Sequence, residues 1–396
     1  MKLRQTLICR EGWYYLVVLA LVFAGAILRE VNLLLILAGM LLGPVIFNWR
    51  AMGLTLRGLE VRRKMPEGVC AGDLLVASVQ LSNTRRHVGS WAVVVEDEVR
   101  REPSPNGNQP RHEKPIRTGV LFPYVPAGES RSGAYRGRLP QRGRYRLGPL
   151  KISTRFPFGL FSRTIDLGRV RTLTVYPRLG RLTRAWATRH RESFAGAHRR
   201  ERRHGPEGDF YGVREWRTGD SRRWIHHRSS ARVGKIVVRQ FEQPRNRDVA
   251  VLIDLWKPKK SGQQHEENVE LAVSFAATVV ADLCRKGGTN LLLGTPGDQP
   301  VYTSGPASTQ LLNDTMQQLA LVEARQDDPL DKVLDGALRR IDQGTEIILV
   351  GTRPVDLTDT KRFPSLWSDP NRRAAARGIR CIDTSSEKLN EYFRAE

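Results

Sequence analysis

Two apolar runs open the chain, and shorter alternations of apolar and polar positions follow them. The first run extends roughly from Trp13 to Leu28 and the second from Val31 to Phe47, and neither contains a charged residue. A helix rises ~1.5 Å per residue, so each run would cover about 25 Å, close to a ~30 Å hydrocarbon core. Trp13, Tyr14, Tyr15 and Trp49 flank the runs as amphipathic rings suited to the headgroup level. Only Arg29-Glu30-Val31-Asn32 separates them. So short a connection predicts a transmembrane helical hairpin over residues 1–50.

Residues 51–180 carry the alternation of β-strands. Leu54-Thr-Leu-Arg-Gly-Leu-Glu-Val and Leu75-Val-Ala-Ser-Val-Gln-Leu-Ser alternate, and Trp91 to Glu96, Tyr135 to Leu139 and Arg144 to Ile152 read as further strands. Pro66-Glu67-Gly68 and Ala127-Gly128-Glu129 punctuate them as turns. Short strands so spaced predict a β-sandwich-like domain. Glu102 to Pro115 is polar and Pro-rich, the composition of a mobile loop.

Residues 181–247 are dense in arginine and read as a linker followed by a compact motif. Beyond them, residues 248–396 alternate strand with helix. Val249-Ala-Val-Leu-Ile-Asp is continuously apolar, as in a strand covered on both faces. Strands at Asn290, Glu346 and Gly378 alternate with helices over Glu266–Arg285, Thr309–Glu323, Pro329–Ile341 and Asn371–Arg377. That order predicts a parallel sheet with right-handed crossovers. The fold class is therefore multi-domain, α/β plus all-β.

Charge orients the hairpin. Lys2, Arg4 and Arg10 precede the first run, and Arg50, Arg57, Arg62, Arg63 and Lys64 follow the second, whereas the turn offers Arg29 offset by Glu30. The positive-inside rule puts both flanks in the cytoplasm. The whole chain carries 64 Lys and Arg against 41 Asp and Glu, a net charge of +23. Such a surface favours anionic partners, and for a tethered protein the anionic inner-leaflet lipid is the plainest one. Four scattered cysteines form no CxxC pair, which argues against a thiolate zinc site.

The densest motif runs from Gly208 to Lys235. Its Arg214, Glu215, Trp216, Gly219, Asp220, Arg223, Ile225, His226, Ser230, Ala231 and Arg232 follow the pattern REY..GD..R.IHW..SAR, with His227 where the pattern has Trp. Gly143-Arg-Tyr-Arg-Leu-Gly-Pro and Phe156-Pro-Phe-Gly-Leu-Phe match a second signature. In these segments the chain resembles bacterial domain-of-unknown-function family 58. That resemblance implies a von Willebrand factor A-like, Rossmann-type C-terminal domain. It also implies partners: a MoxR-type AAA+ ATPase, transglutaminase-like proteins and other von Willebrand A membrane proteins. No biochemical activity is established for the family, and fold alone does not supply one.

Physically the motif has two readings. Asp220 or Ser221 could cap a short helix carrying Arg222, Arg223, Trp224, Ile225 and His226, with Arg214, Arg223 and Arg232 pairing to Glu215 and Asp220. Alternatively Arg214, Asp220, Arg222, Arg223, His226 and Arg232 form a pocket for a phosphate, a headgroup or an acidic segment.

The resemblance also implies a place for a hard cation, built from Asp-x-Ser-x-Ser. Here that stretch is Asp254-Leu-Trp-Lys-Pro, in which Trp256 and Pro258 replace both hydroxyls. Gly351-Thr-Arg353 stands where an acid is often found. A degenerate site at Asp254 holding no metal is expected, with Asp254 serving as a strand-end or pairing residue. His226 and His227 diverge by about 100° on a helix and cannot easily share one metal. His190, His198 and His204 read as solvated. No nucleotide fingerprint or catalytic triad order is present, so neither a cofactor nor a catalytic residue is expected. The leading expectation is an interaction or scaffold protein serving envelope or protein-maturation functions. Nucleic-acid or other anionic-ligand binding through the arginines and an uncharacterised hydrolase are the alternatives. The anchor competes with nucleic acid for the same charge.

Overall fold

A computed structural model describes residues 4–103, 115–188, 209–218, 220–242, 248–259, 262–342 and 344–395. The expected mobile loop lies largely outside the described residues, as do Gly219 and the histidines at 190, 198 and 204. The chain divides into two compact units, Met1–Arg178 and Leu179–Glu396.

The first unit begins with strand β1 (Arg4–Ile8), then helices α1 (Arg10–Arg29) and α2 (Asn32–Thr55). Both helices are long and apolar enough to cross a membrane. Glu30, with φ 52°, supplies the left-handed residue at the turn between them. The Tyr15 hydroxyl donates to the Leu41 carbonyl at 2.8 Å and ties the pair.

Ten further strands follow: β2 (Leu59–Lys64), β3 (Gly68–Cys70), β4 (Leu74–Asn83), β5 (Ser90–Arg101), β6 (Ile116–Val125), β7 (Ser130–Arg138), β8 (Gly143–Leu147), β9 (Lys151–Thr154), β10 (Phe161–Asp166) and β11 (Arg171–Tyr176). They form an eight-stranded sheet in the order β1-β10-β9-β5-β8-β11-β3, with β6 added on β5, and a three-stranded sheet β2-β4-β7. Alternate residues of β4, from Leu75 to Leu81, are buried. Ala77, Val79 and Leu81 share one core with Val93 and Val95 of β5, Phe122 of β6 and Ile152 of β9. The two sheets therefore enclose a common apolar layer.

One polar group crosses that layer. Asp97 of β5 accepts from the Arg63 guanidinium of β2 and from the Tyr135 hydroxyl of β7, the latter at 2.7 Å. The Arg63 and Asp97 side chains are 5% and 1% exposed, too deep for water to replace either partner. The Glu98 amide donates to the other carboxylate oxygen at 3.0 Å. Burial, then the hydrogen bond to Asp97, pushes the Tyr135 hydroxyl well above its ordinary pKa.

Two features of this unit differ from the sequence expectation. Helix α2 continues past Phe47 to Thr55, and the strand expected from Leu54 begins at Leu59. Asn48, Met52 and Thr55 are buried at helical spacing, so the period of 3.6 prevails over a short alternation. Gly58, with φ 67°, then turns the chain into β2. The alternation reading also does not name β1, β3, β6, β10 or β11. β1 pairs antiparallel with β10 directly ahead of α1, and the Cys9 amide donates to the Leu160 carbonyl at 3.0 Å. Gly12 is needed there, because a Cβ would lie 2.0 Å from the Leu160 oxygen.

The second unit contains β12 (Arg181–Leu182), β13 (Asp209–Glu215), α3 (His227–Val233), β14 (Val237–Glu242), β15 (Val249–Asp254), α4 (Gln263–Lys286), β16 (Asn290–Thr295), β17 (Val301–Pro306), α5 (Thr309–Leu321), α6 (Leu330–Leu338), β18 (Glu346–Gly351), α7 (Pro364–Trp367), α8 (Pro370–Ala376), β19 (Arg380–Asp383), α9 (Leu389–Tyr392) and β20 (Phe393–Arg394). Its main sheet runs β17-β16-β15-β18-β19. Strands β16, β15, β18 and β19 are parallel neighbours, and β17 adds an antiparallel edge that the strand–helix alternation did not predict. All six residues of β15 are buried, as its continuous apolar run implied. Within the interval 181–247, β12 pairs with β20, and Trp186 packs edge-on against Phe275 of α4. Arg181, Leu182 and Trp186 are thereby built into the unit.

Replacing Asp97 with Asn would leave the Arg63 charge buried without its counter-ion. The expected loss is about 3–5 kcal/mol of stability, measurable by denaturant unfolding of the full chain in detergent. A stable Asp97→Asn variant would show that the pair does not hold the sheets.

Candidate functional site

The motif folds as a small two-stranded unit with a helix on its connection. β13 pairs antiparallel with β14, and Glu215 stands opposite Val237. Between them the chain makes a 3-10 turn over Arg222–Trp224 and then α3. The single short helix expected after Asp220 is thus split at Ile225, whose backbone bridges to Val238. The cap also differs from expectation. His226 Nδ1 accepts the Ser229 amide at 3.2 Å, whereas Ser221 makes no capping bond. Ser230 joins helix to strand: its hydroxyl donates to the His226 carbonyl at 3.1 Å and accepts the Val237 amide at 3.0 Å. Gly234 ends α3 with φ 72°.

The predicted ionic partners are only partly brought together. Arg214 makes a bidentate pair with Asp220, both contacts at 2.6 Å, and the Arg217 amide donates to the same carboxylate at 2.8 Å. The hydrogen bond to Asp220 holds the Arg214 guanidinium pKa above its ordinary value. Glu215 is taken by Lys235 at 2.9 Å. Arg223 and Arg232 therefore do not meet these acids. Arg222, Arg223, Arg228, Arg232 and Arg239 are exposed and form no ion pair among the described residues. Arg228 and Arg232 lie four apart on α3 and share a face. The motif combines a locked Arg214–Asp220 bracket with exposed guanidinium groups.

The second neighbourhood lies at the C-terminal end of the main sheet, where ligands of open α/β sheets commonly sit. Asp254, the last residue of β15, is 1% exposed. Arg353, just beyond β18, approaches it with Nε at 3.4 Å from Oδ2. The same guanidinium pairs with Asp328 at 2.7 Å and lies 4.7 Å from the Trp256 ring centre. Arg362 reaches Asp328 from the other side at 2.8 Å. Asp254 Oδ1 makes no hydrogen bond among the described residues. Burial pushes the Asp254 carboxyl above the usual carboxylate range, and Arg353 only partly opposes the shift.

A hard cation does not fit these groups. The Thr352 hydroxyl is spent on the Trp256 carbonyl at 2.7 Å, and a guanidinium already stands beside the two carboxylates. Among the described residues no three His, Cys, Asp or Glu side chains are grouped to hold a metal. Sequence reading marked Asp254 and the arginine at 353 separately, but Asp328 and Arg362 carried no signal, because their loops meet these strand ends only in the folded chain.

Residues 212–341 match the family described as "Protein of unknown function DUF58". No curated protein matches the chain. Among solved structures, the CARDB domain of PF1109 from Pyrococcus furiosus is 16% identical, covering 30% of this chain and 94% of that one, at a TM-score of 0.19. A β-glucosidase from Listeria innocua in complex with glucose is 13% identical over 30% of this chain and 16% of its own, at 0.20. Spo0M, a sporulation control protein from Bacillus subtilis, is 9% identical over 36% and 56%, at 0.19. Likeness this slight says nothing of what the chain does.

A raised carboxyl pKa has a definite sign. The folded state disfavours the ionised form, so ionising Asp254 costs stability, and the cost disappears below the unfolded-state value. Arg353 keeps Asp328 as partner when Asp254 is neutral. Asp254→Asn is therefore expected to be more stable than the parent at neutral pH and equal to it below about pH 4. Thermal unfolding of both proteins across that range reads the crossover, and a variant less stable at neutral pH would contradict it.

Proposed function

We propose that this chain is a membrane-anchored interaction protein of the bacterial inner membrane, spanning it twice with both ends of the hairpin on the cytoplasmic side. In this reading the second unit is a von Willebrand A-like domain whose cation position has been given over to Arg353. The motif arginines then form a docking surface for an acidic segment of a partner. The single observation that carries the docking idea is the contrast within the motif. Arg214 is bracketed by Asp220, whereas Arg222, Arg223, Arg228 and Arg232 stay exposed with no carboxylate among the described residues. Unspent guanidinium groups on a rigid support bind carboxylate or phosphate in bidentate fashion. Support for the anchor is the length and apolarity of α1 and α2, with basic flanks on one side. The family resemblance suggests a MoxR-type AAA+ ATPase and sibling von Willebrand A or transglutaminase-like membrane proteins as partners.

Crosslinking in cells followed by purification of the full chain tests this. The ATPase is expected with the parent and is expected to be lost when Arg222, Arg223 and Arg232 are all changed to Glu. Equal recovery, or no ATPase with either protein, would overturn the reading.

The same arginines beside Trp216 and Trp224 favour a second reading, an anionic ligand or nucleic acid. A complex of that kind should weaken steeply between low and moderate salt. A gel shift with single-stranded DNA that shows no salt-sensitive band removes the nucleic-acid version.

A further inference from the structure

A groove in the first unit, formed between the end of α2 and the loop before β5, is unlike the rest of the surface. It has a volume of about 670 Å³, within the ~300–1,000 Å³ typical of small-ligand sites. One wall is the α2 face from Gly43 to Leu54, and the other is Val88, Trp91 and Phe156. Trp91 stacks on Phe156 with ring centres 6.0 Å apart and lies 4.2 Å from the Tyr124 ring. Despite these contacts Trp91, Val88, Phe47 and Leu54 remain about half exposed.

A guanidinium and an imidazole complete the lining. Arg50 and His87 are exposed, neither makes a hydrogen bond or ion pair among the described residues, and no lining residue is acidic. Their depth follows from the helix. The apolar run ends at Phe47, and Trp49 and Arg50 follow at the level where aromatic and basic residues meet headgroups. From Gly43 to Arg50 the helix rises about 10 Å. The groove thus begins beside the hydrocarbon layer and ends at a guanidinium.

We propose that this groove is a binding site for one anionic phospholipid, its acyl chain lying along α2 from Gly43 and its phosphate held by Arg50 with His87. The proposal rests on the membrane anchoring inferred above and gives it a defined lipid contact. Guanidinium and phosphate match in geometry and charge, and an apolar slot that opens from the bilayer excludes a soluble acidic peptide as the natural occupant. Gly43 leaves the slot open, since nothing lies within 4 Å of the place its Cβ would take. Leu at that position would fill the groove while improving helix propensity.

The test is native mass spectrometry of the full chain, delipidated in mild detergent and titrated with phosphatidylglycerol or phosphatidylcholine. At least tenfold tighter binding of phosphatidylglycerol is expected for the parent. Arg50→Gln should erase the preference while some binding of both lipids remains. Gly43→Leu should abolish binding of both, and Arg62→Gln, outside the groove, should change nothing. Equal binding of the two lipids, unaltered binding by Gly43→Leu, or a lipid-free dimer seated through the groove would each overturn the proposal. Membrane fractionation of the same proteins separates the two levels of inference. A chain that pellets with membranes but lacks the preference loses only the groove, and a chain that stays in solution loses the anchor as well.

Discussion

A buried carboxylate holds the first unit in register. Asp97 takes Arg63 from one edge of the three-stranded sheet and Tyr135 from its other edge, across the apolar layer that separates the sheets. Side chains on a strand alternate between faces, so a one-residue slip of β2 or β7 would turn its partner outward. It would also leave a charge buried beside Val61, Val79 and Val95 without water to solvate it. Apolar packing tolerates many arrangements, whereas this interaction accepts few.

The helices depend on that framework. The chain leaves the eight-stranded sheet through β1 and returns through α2 into β2, so both ends of the hairpin are fastened to one β unit. The fastening is specific at several points. The Cys9 amide meets Leu160, the Phe158 amide donates to Asn48 at 3.0 Å, and Met52 packs with Leu160 and Phe161. A hairpin held in this way has its long axis set by the sheet edge. The aromatic rings around the end of α2, including Phe47, Phe158, Trp49 and Phe161, cluster at that junction as a consequence.

In the second unit, charge is treated in two ways. Asp254 is buried at the end of the central strand beside the partly exposed Arg353, which also reaches the exposed Asp328, and the Asp254 carboxyl is disfavoured as an anion. In the motif the opposite holds. Asp220 is spent on fixing Arg214, and the remaining arginines bear their charge outward. The helix that presents Arg228 and Arg232 is short, and it holds through the His226 cap and the Ser230 bridge to Val237.

How much of this was legible depends on the range of the interactions involved. The helical hairpin, the buried strand Val249–Asp254 and the alternation of strand and helix after it follow from patterns within twenty or so residues, and the sequence by itself determined them. The presence of Trp256 and Pro258 after Asp254 was equally local. The true end of α2 was not legible, because Met52 counts as core only once Leu160 and Phe161 have been brought to it, and Thr55 is covered where Ser90 donates to its carbonyl. Strand β1 was hidden for the same reason, its partner lying far along the chain in β10. His226 was read as a site residue from its type, and folding made it a helix cap. Arg353 was read as a missing acid, and folding made it the counter-charge of Asp254 and Asp328. Sequence determines which side chains carry charge and where apolar periodicity lies; which charge neutralises which is decided only when distant loops converge, because a buried ion pair depends on distances of a few ångströms that no spacing along the chain encodes.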